Sequence, residues 1–364
     1  MIRGHGGDIY RLAAELGCQP EEILDFSSNC SPLPFPTGFK EFVTARLHQL
    51  HWLPEVDSAS IREKLAAIYS LPQDSFLLGS GTTEWIFAIP GLSGLRRAVI
   101  PEPTYADYRD AAELAGLEVA SVPIFGDGAC LGQEEVLDAI IESDPSGAAL
   151  FLCNPNNPTG TFMEPVRLLE LIRHLNDTLF IVDESYAQFI GPDHESSLLG
   201  LCKGELPENL LILRSFSKIY GIPGLRVGCL VARGSIMDRL REMARPWAVN
   251  RMAQIALSFF LDRPEVVEET RRFCQKEKAW LASKIEGLSG LEPIPAEAHY
   301  FLVRITPELT PRRVADELER QKILVRDCSN FRGMEPSYIR ISPGLKENNR
   351  QLVSTLERVM KRLI

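Results

Sequence analysis

The chain lacks most of the features that would tie it to a metal, a membrane or a nucleic acid. No two cysteines form a C-x-x-C pair, and no Cys/His group has zinc-ligand spacing. Its eight cysteines are scattered from Cys18 to Cys328, the pattern of reduced thiols in a cytoplasmic protein. No apolar run reaches the length that spans a bilayer. The opening segment Met1–Tyr10 is polar and glycine-rich, unlike a signal peptide. There is no basic block: 39 Lys and Arg stand against 49 Asp and Glu, a net charge of −10. An acidic chain of this kind is expected to bind neither nucleic acid nor an anionic membrane surface. No internal repeat is visible. What is present is ordinary globular composition, with 45% hydrophobic and 24% charged residues over 364 positions. At roughly 150 residues per domain, that length is two to three domain equivalents.

Residues 1–38 carry Gly4, Gly6 and Gly7, a short helical stretch over Ile9–Leu16, and then Pro32, Pro34 and Pro36. They read as an arm laid over another surface. From 39 to 250, short apolar runs alternate with amphipathic stretches. The runs are Ala98–Ile100, Ala148–Cys153, Leu179–Val182, Leu210–Leu213 and Val227–Val231. This alternation predicts a large doubly wound α/β domain on a mostly parallel sheet. Residues 251–364 read as a smaller C-terminal α/β domain. It starts with a long helical region, Arg251–Leu288, and Pro293 and Pro295 then break the chain. Strands are expected at Phe301–Ile305, Ile323–Arg326 and Tyr338–Ile341. A helix is expected from Thr310–Pro311, and a final one carries Leu352, Leu356, Val359 and Leu363 on one face.

Four segments at the ends of predicted strands carry the chemistry, where an open parallel sheet places its ligand. Gly79-Ser80-Gly81-Thr82-Thr83 leads from a strand into a helix, whose first N–H groups suit an anion. Taken alone, it is more often just a capped helix. Asn154-Pro155-Asn156-Asn157-Pro158-Thr159-Gly160 is a loop stiffened by two prolines, which alone is merely a tight turn. In Asp183-Glu184-Ser185-Tyr186 the Asp ends an apolar strand, where its carboxylate wants a cation; an isolated Asp there is commonly a helix cap. Ser215-Phe216-Ser217-Lys218 is followed by Gly224-Leu225-Arg226. A lysine in such apolar surroundings has its pKa lowered and acts as an amine nucleophile, although most lysines between serines are solvated surface residues. The occurrence of all four segments together, in order, each after a strand, decides for a site.

This set resembles the fold-type-I pyridoxal-phosphate enzymes, the aspartate aminotransferase superfamily, over almost the whole chain. The resemblance implies a homodimer with pyridoxal 5'-phosphate carried by Lys218. Asp183 would pair with the ring nitrogen, and Tyr186 and Asn157 with the ring's 3-oxygen. Ser215, Ser217, Arg226 and the Thr82/Thr83 turn would hold the phosphate, and Tyr105 would stack on the ring. Within the superfamily the chain is similar to histidinol-phosphate aminotransferases and threonine-phosphate decarboxylases. His5-Gly6-Gly7-Asp8, Asp25-Phe26-Ser27-Ser28-Asn29 and Ile323-Leu324-Val325-Arg326-Asp327-Cys328 resemble the decarboxylases. By that resemblance His5, Asn29, Arg326 and Arg340, with Asn157, face a small phosphorylated amino-acid substrate. The implied reaction is decarboxylation of L-threonine O-3-phosphate in cobalamin biosynthesis. The alternatives are histidinol-phosphate aminotransferase, decarboxylation of L-serine O-phosphate, and a regulator or non-catalytic binder of the cofactor.

Three positions depart from the pattern. Asp8 replaces an Asn, His299 replaces an Asn, and Leu53-Pro54 replaces a Tyr-Pro pair that reaches the cofactor phosphate of the neighbouring subunit. Leucine donates no hydrogen bond, so a changed cross-subunit contact is expected there.

Overall fold

A computed structural model describes residues 6–126, 129–202 and 204–364. His5 therefore lies outside the described residues. The fold is the fold-type-I pyridoxal-phosphate-enzyme fold, built around a seven-stranded sheet. From one edge to the other the strands are Phe76–Gly79, Gly228–Val231, Leu210–Ser215, Leu179–Asp183, Ala149–Cys153, Arg97–Glu102 and Glu118–Pro123. All the expected apolar runs are strands of this sheet. Their side chains are buried on both faces, as continuous apolar runs require. Gly228–Val231 runs antiparallel to both neighbours, and the other pairings are parallel.

A four-stranded antiparallel sheet forms the second unit, in the order Leu291–Pro293, Phe301–Ile305, Tyr338–Ile341, Arg326–Asp327. Helices Pro311–Glu319 and Lys346–Leu363 cover it, burying Val314, Leu318, Leu352, Leu356 and Val359 in its core. The Thr310 hydroxyl accepts the Arg313 N–H and Pro311 opens the helix, as expected of a cap followed by proline.

Two expected elements are corrected. The single strand expected over Ile323–Arg326 is two. Ile323–Leu324 pairs in parallel with Leu24–Asp25, while Arg326–Asp327 joins the four-stranded sheet. The expected helical region Arg251–Leu288 is also two elements, Arg251–Leu261 and Pro264–Ile285. Pro264 has no N–H to continue the first helix and takes the first position of the second. Helix Arg251–Leu261 buries Ala253, Leu257 and Phe260 in the larger core, and helix Pro264–Ile285 passes from that core at Cys274 to the second core at Leu281.

The N-terminal segment lies on the second unit. Helix Ile9–Leu16 packs Leu12 and Ala13 against Ile23 and Leu324. The turn after strand Leu24–Asp25 is wound around the Asp25 carboxylate, which accepts from Ser27 N (2.8 Å), Ser27 Oγ (2.6 Å) and Ser28 Oγ (2.6 Å). Ser342 Oγ and Arg340 Nη2 then donate to the carbonyls of Ser28 and Ser27, both at 2.6 Å. These bonds bring Asn29 to the ends of the large-sheet strands.

Candidate active site

Two adjoining cavities open where the parallel strands end. The inner one, about 150 Å³, is lined by Thr82, Thr83, Tyr105, Asn157, Asp183, Tyr186, Ser215, Lys218 and Arg226, together with Gly81, Tyr108, Cys153 and Ser185. The outer one, about 380 Å³, shares Tyr105, Asn157, Tyr186 and Lys218 with it and adds Asn29, Arg326 and Arg340. The structure thus brings together the expected site residues that it describes, with one exception. Ser217 lines neither cavity; it is buried, and its hydroxyl donates to the Val227 carbonyl at 3.4 Å.

Asp183 sits at the floor of the inner cavity, 4% exposed. Its Oδ1 accepts the Ser185 N–H at 2.9 Å, and its Oδ2 accepts the Tyr108 hydroxyl at 2.9 Å. Burial pushes its pKa up, against the pull of the Ser185 and Tyr108 hydrogen bonds and of Lys218. A carboxylate with two donors and no ion pair among the described residues is electrostatically incomplete. Tyr108 was not anticipated. The signal was its place three residues after Tyr105, one helical turn on, in helix Asp107–Leu114.

At the other side of this cavity, Arg226 takes a left-handed backbone (φ 56°) and makes one long side-chain bond, to the Pro223 carbonyl at 3.4 Å. Its guanidinium lies against Gly81, where a Cβ would stand 2.7 Å from Nη2. Next to it, helix Thr82–Ala88 presents its first turn, and Ser215 brings a hydroxyl from the end of its strand. One carboxylate that lacks a cation thus faces one end of the cavity, and an arginine with hydroxyl and N–H donors faces the other. That donor set fits pyridoxal 5'-phosphate, whose ring nitrogen is cationic and whose other end is a phosphate.

Lys218 stands on the boundary of the two cavities. Its pKa is raised first by Cys30 and also by Tyr186, while burial, Arg340 and Arg226 lower it. Cys30 and Tyr186 are both pushed up by burial and so are neutral at pH 7. A neutral thiol and phenol give no charge to support the ammonium, so at that pH the lowering influences act alone.

In the outer cavity Arg340 is 4% exposed. It donates to Asn157 Oδ1 and to the Ser27 carbonyl, and its Nε has no hydrogen bond. Arg326 donates to the Asp327 carbonyl and to Asn330 Oδ1 (2.8 Å); burial pushes its pKa down to about 10. Neither forms an ion pair among the described residues. Asn29 is 2% exposed and neither atom of its amide makes a hydrogen bond of ordinary geometry. His299 lies behind Tyr186, stacked on Phe189 with ring centroids 3.6 Å apart. Burial, then Arg340, holds its pKa well below the usual histidine value, so it is neutral.

The fold and this site define a pyridoxal-phosphate-dependent enzyme. Residues 21–356 match the family model for class I and II aminotransferases, and the chain belongs to that family, whose members depend on the cofactor. It is 36% identical over 361 residues to a histidinol-phosphate aminotransferase of Symbiobacterium thermophilum, covering 97% of this chain and 94% of that one. It is 33% identical over 362 residues to the threonine-phosphate decarboxylase of Salmonella typhimurium, covering 98% and 96%. The solved L-threonine-O-3-phosphate decarboxylase of Porphyromonas gingivalis superposes with a TM-score of 0.82 at 30% identity, over 93% of this chain and 100% of that one. The chain also matches the bifunctional adenosylcobalamin biosynthesis protein CobDQ of Leptospira interrogans at 29% identity, over 98% of its own length but 41% of that protein's.

Proposed function

We propose that this enzyme decarboxylates L-threonine O-3-phosphate to (R)-1-amino-2-propanol O-2-phosphate and CO2, a step of cobalamin biosynthesis, as a cytoplasmic homodimer. The observation that carries this reading is the pair Arg326 and Arg340. They line the same cavity as Lys218, and neither has a carboxylate partner among the described residues. A phosphate dianion is the best match for two unneutralised guanidinium groups, because it offers more charge and bidentate geometry than a carboxylate. Of the other arginines lining the cavity, Arg109 is already paired with Glu102 (2.9 and 3.0 Å) and Arg332 is exposed. The substrate carboxylate is then left ungripped and free to depart.

Lys218 would carry the cofactor, with Asp183 against its ring nitrogen and Tyr105 against the ring face. Arg226, Ser215, Thr82 and Thr83 would hold its phosphate. Tyr186 and the Asn157 Nδ2 would donate to the 3-oxygen, since Asn157 Oδ1 is taken by Arg340. Bound pyridoxal phosphate supplies an electron sink for the pair left on the α-carbon when its bond to the carboxylate breaks. Asp183 stays ionised beside that cationic nitrogen, and the Tyr108 hydroxyl holds it in place. Lys218 Nζ returns one proton to the α-carbon. Asn29 and Arg340 Nε, both short of acceptors, would meet the substrate's oxygens.

An exposed apolar stretch supports the dimer: Phe35, Leu47, Leu50, Trp52, Leu53 and Val56, with Leu53 73% exposed. A second reading, amino transfer with a phosphorylated substrate, is favoured by the 36% identity to a histidinol-phosphate aminotransferase. L-Serine O-phosphate, one methyl smaller, is the alternative substrate for decarboxylation. The test of the site is truncation. Arg340→Ala and Arg326→Ala should each weaken phosphorylated-substrate binding by about 2–5 kcal/mol, read as KM or Kd. Unchanged binding in both would remove the phosphate from this cavity.

A further inference from the structure

We propose that Arg332 is a third anion-binding guanidinium of the outer cavity, a rim residue that selects for phosphorylated ligands. The proposal rests on the reading of a phosphorylated substrate, but not on which bond of that substrate breaks. Arg332 lines the cavity, is exposed, and makes no hydrogen bond or ion pair among the described residues.

An exposed arginine is ordinarily just solvated. This one differs because both of its neighbours are anchored. Phe331 is 8% exposed, packs with Cys328 and Tyr338, and carries the Arg326 guanidinium 4.8 Å from its ring centroid. Gly333 has φ +73° and lies so close to the end of strand Arg97–Glu102 that a Cβ would stand 3.3 Å from the Glu102 carbonyl group. The loop is therefore held to the small cluster of Phe331, Cys328 and Tyr338 on one side of Arg332 and lies against the large sheet on the other. The backbone of Arg332 is held at the cavity mouth rather than free to swing into solvent.

Charge points the same way. Arg326 and Arg340 line the same cavity as Arg332, with Glu102 and Asp110 as the carboxylates of that lining, so an anion bound there would meet three guanidinium groups. Arg109, the remaining arginine among the described residues of the lining, is cancelled by its bidentate pair with Glu102. Two buried donors of the cavity, Asn29 Nδ2 and Arg340 Nε, also lack an acceptor at ordinary hydrogen-bond geometry. A ligand's phosphate dianion would engage the three guanidinium groups and leave its carboxylate ungripped, whereas an unphosphorylated amino acid brings no dianion to them. A charge at a rim acts mainly on capture, so its effect should carry a strong salt dependence.

The experiment titrates the cofactor-loaded enzyme with inorganic phosphate and, separately, with L-threonine, by calorimetry at low and physiological salt. Arg332→Gln should weaken phosphate binding by about tenfold at low salt and flatten its salt dependence, with L-threonine changed less than about twofold. Arg332→Lys should keep phosphate binding within about threefold of the parent. Unchanged phosphate binding in Arg332→Gln overturns the proposal. So does a loss shared equally by phosphate and threonine, which would mark a packing role. A parent enzyme that releases no CO2 yet binds phosphate through Arg332 would overturn the decarboxylase reading alone. Unchanged phosphate binding in Arg332→Gln, with CO2 release intact in the parent, would overturn the role of Arg332 alone.

Discussion

The Tyr108 hydroxyl donates to Asp183 Oδ2 at 2.9 Å, while the Tyr108 ring stacks on Phe151 with centroids 5.7 Å apart and planes at 22°. The ring therefore belongs to the core and the hydroxyl to the site. Removing the hydroxyl alone should cost the site and spare the fold. In Tyr108→Phe, Asp183 keeps only the Ser185 N–H, and a lost hydrogen bond to a charged group is worth about 1.5–3 kcal/mol. Cofactor affinity should fall by about tenfold or more, measured by fluorescence titration, with a melting temperature close to the parent's. Unchanged affinity would mean that Tyr108 does not orient Asp183.

Among the described residues, Lys218 is the one lysine that lines the two cavities. Borohydride reduction of the cofactor-loaded enzyme, followed by peptide mapping, should place the cofactor on Lys218. A tag on any other lysine contradicts the site. Asp183→Ala should retain some cofactor and lose orders of magnitude in turnover, because the ring nitrogen is then no longer held cationic.

Leu53 stands where a hydroxyl donor was expected to reach across a dimer, and it is 73% exposed beside Trp52 at 60%. In the proposed site Arg226, Ser215 and a helix start, which line the inner cavity, would hold the cofactor phosphate. One neutral hydrogen bond more or less is worth about 1 kcal/mol. Leu53→Tyr should change cofactor affinity by no more than about tenfold. Leu53→Asp should shift the sedimentation profile from dimer to monomer. A several-hundredfold gain in affinity from Tyr would revive the reading of a poorly adapted cofactor binder.

Glu184, next to Asp183 but on the far side of the strand, gives a pH signature. Burial pushes its pKa up to about 7, against Arg214 and the donors Ser197 Oγ and Leu198 N. Its folded pKa lies above the unfolded value of about 4.3. Its contribution to stability is therefore fully present below that unfolded value and is lost as pH rises through 7. In Glu184→Gln, the melting temperature should lose this part of its decline between about pH 5 and 8. An identical pH profile in the variant would show that Glu184 stays ionised throughout.

Much of the fold was legible because its strands are continuous apolar runs, and much of the site because its residues follow those runs in a fixed order. The strand misses share one physical cause: pairing between distant segments leaves no local period. Ile323–Arg326 reads as one strand, yet its first half pairs with Leu24–Asp25 from the other end of the chain. Gly228–Val231 reads like its neighbours, and nothing in an apolar run tells its direction. Ser217 repeats the chemistry of Ser215 two positions on, but in the short helix Phe216–Ile219 its hydroxyl faces Val227 instead of the cavity. Arg332 sits in a loop without periodicity. Two signals were already present and passed over: Pro264, which splits the expected Arg251–Leu288 helical region, and Tyr108, three residues after Tyr105.

The central claim is the choice of bond, and product analysis tests it most directly. Purified enzyme loaded with pyridoxal phosphate is given L-threonine O-3-phosphate with and without 2-oxoglutarate. CO2 and 1-amino-2-propanol O-phosphate should appear in equal amounts, at the same rate with or without the keto acid. The contradicting result is no CO2 from threonine phosphate or serine phosphate, together with transfer of the amino group of glutamate to imidazoleacetol phosphate.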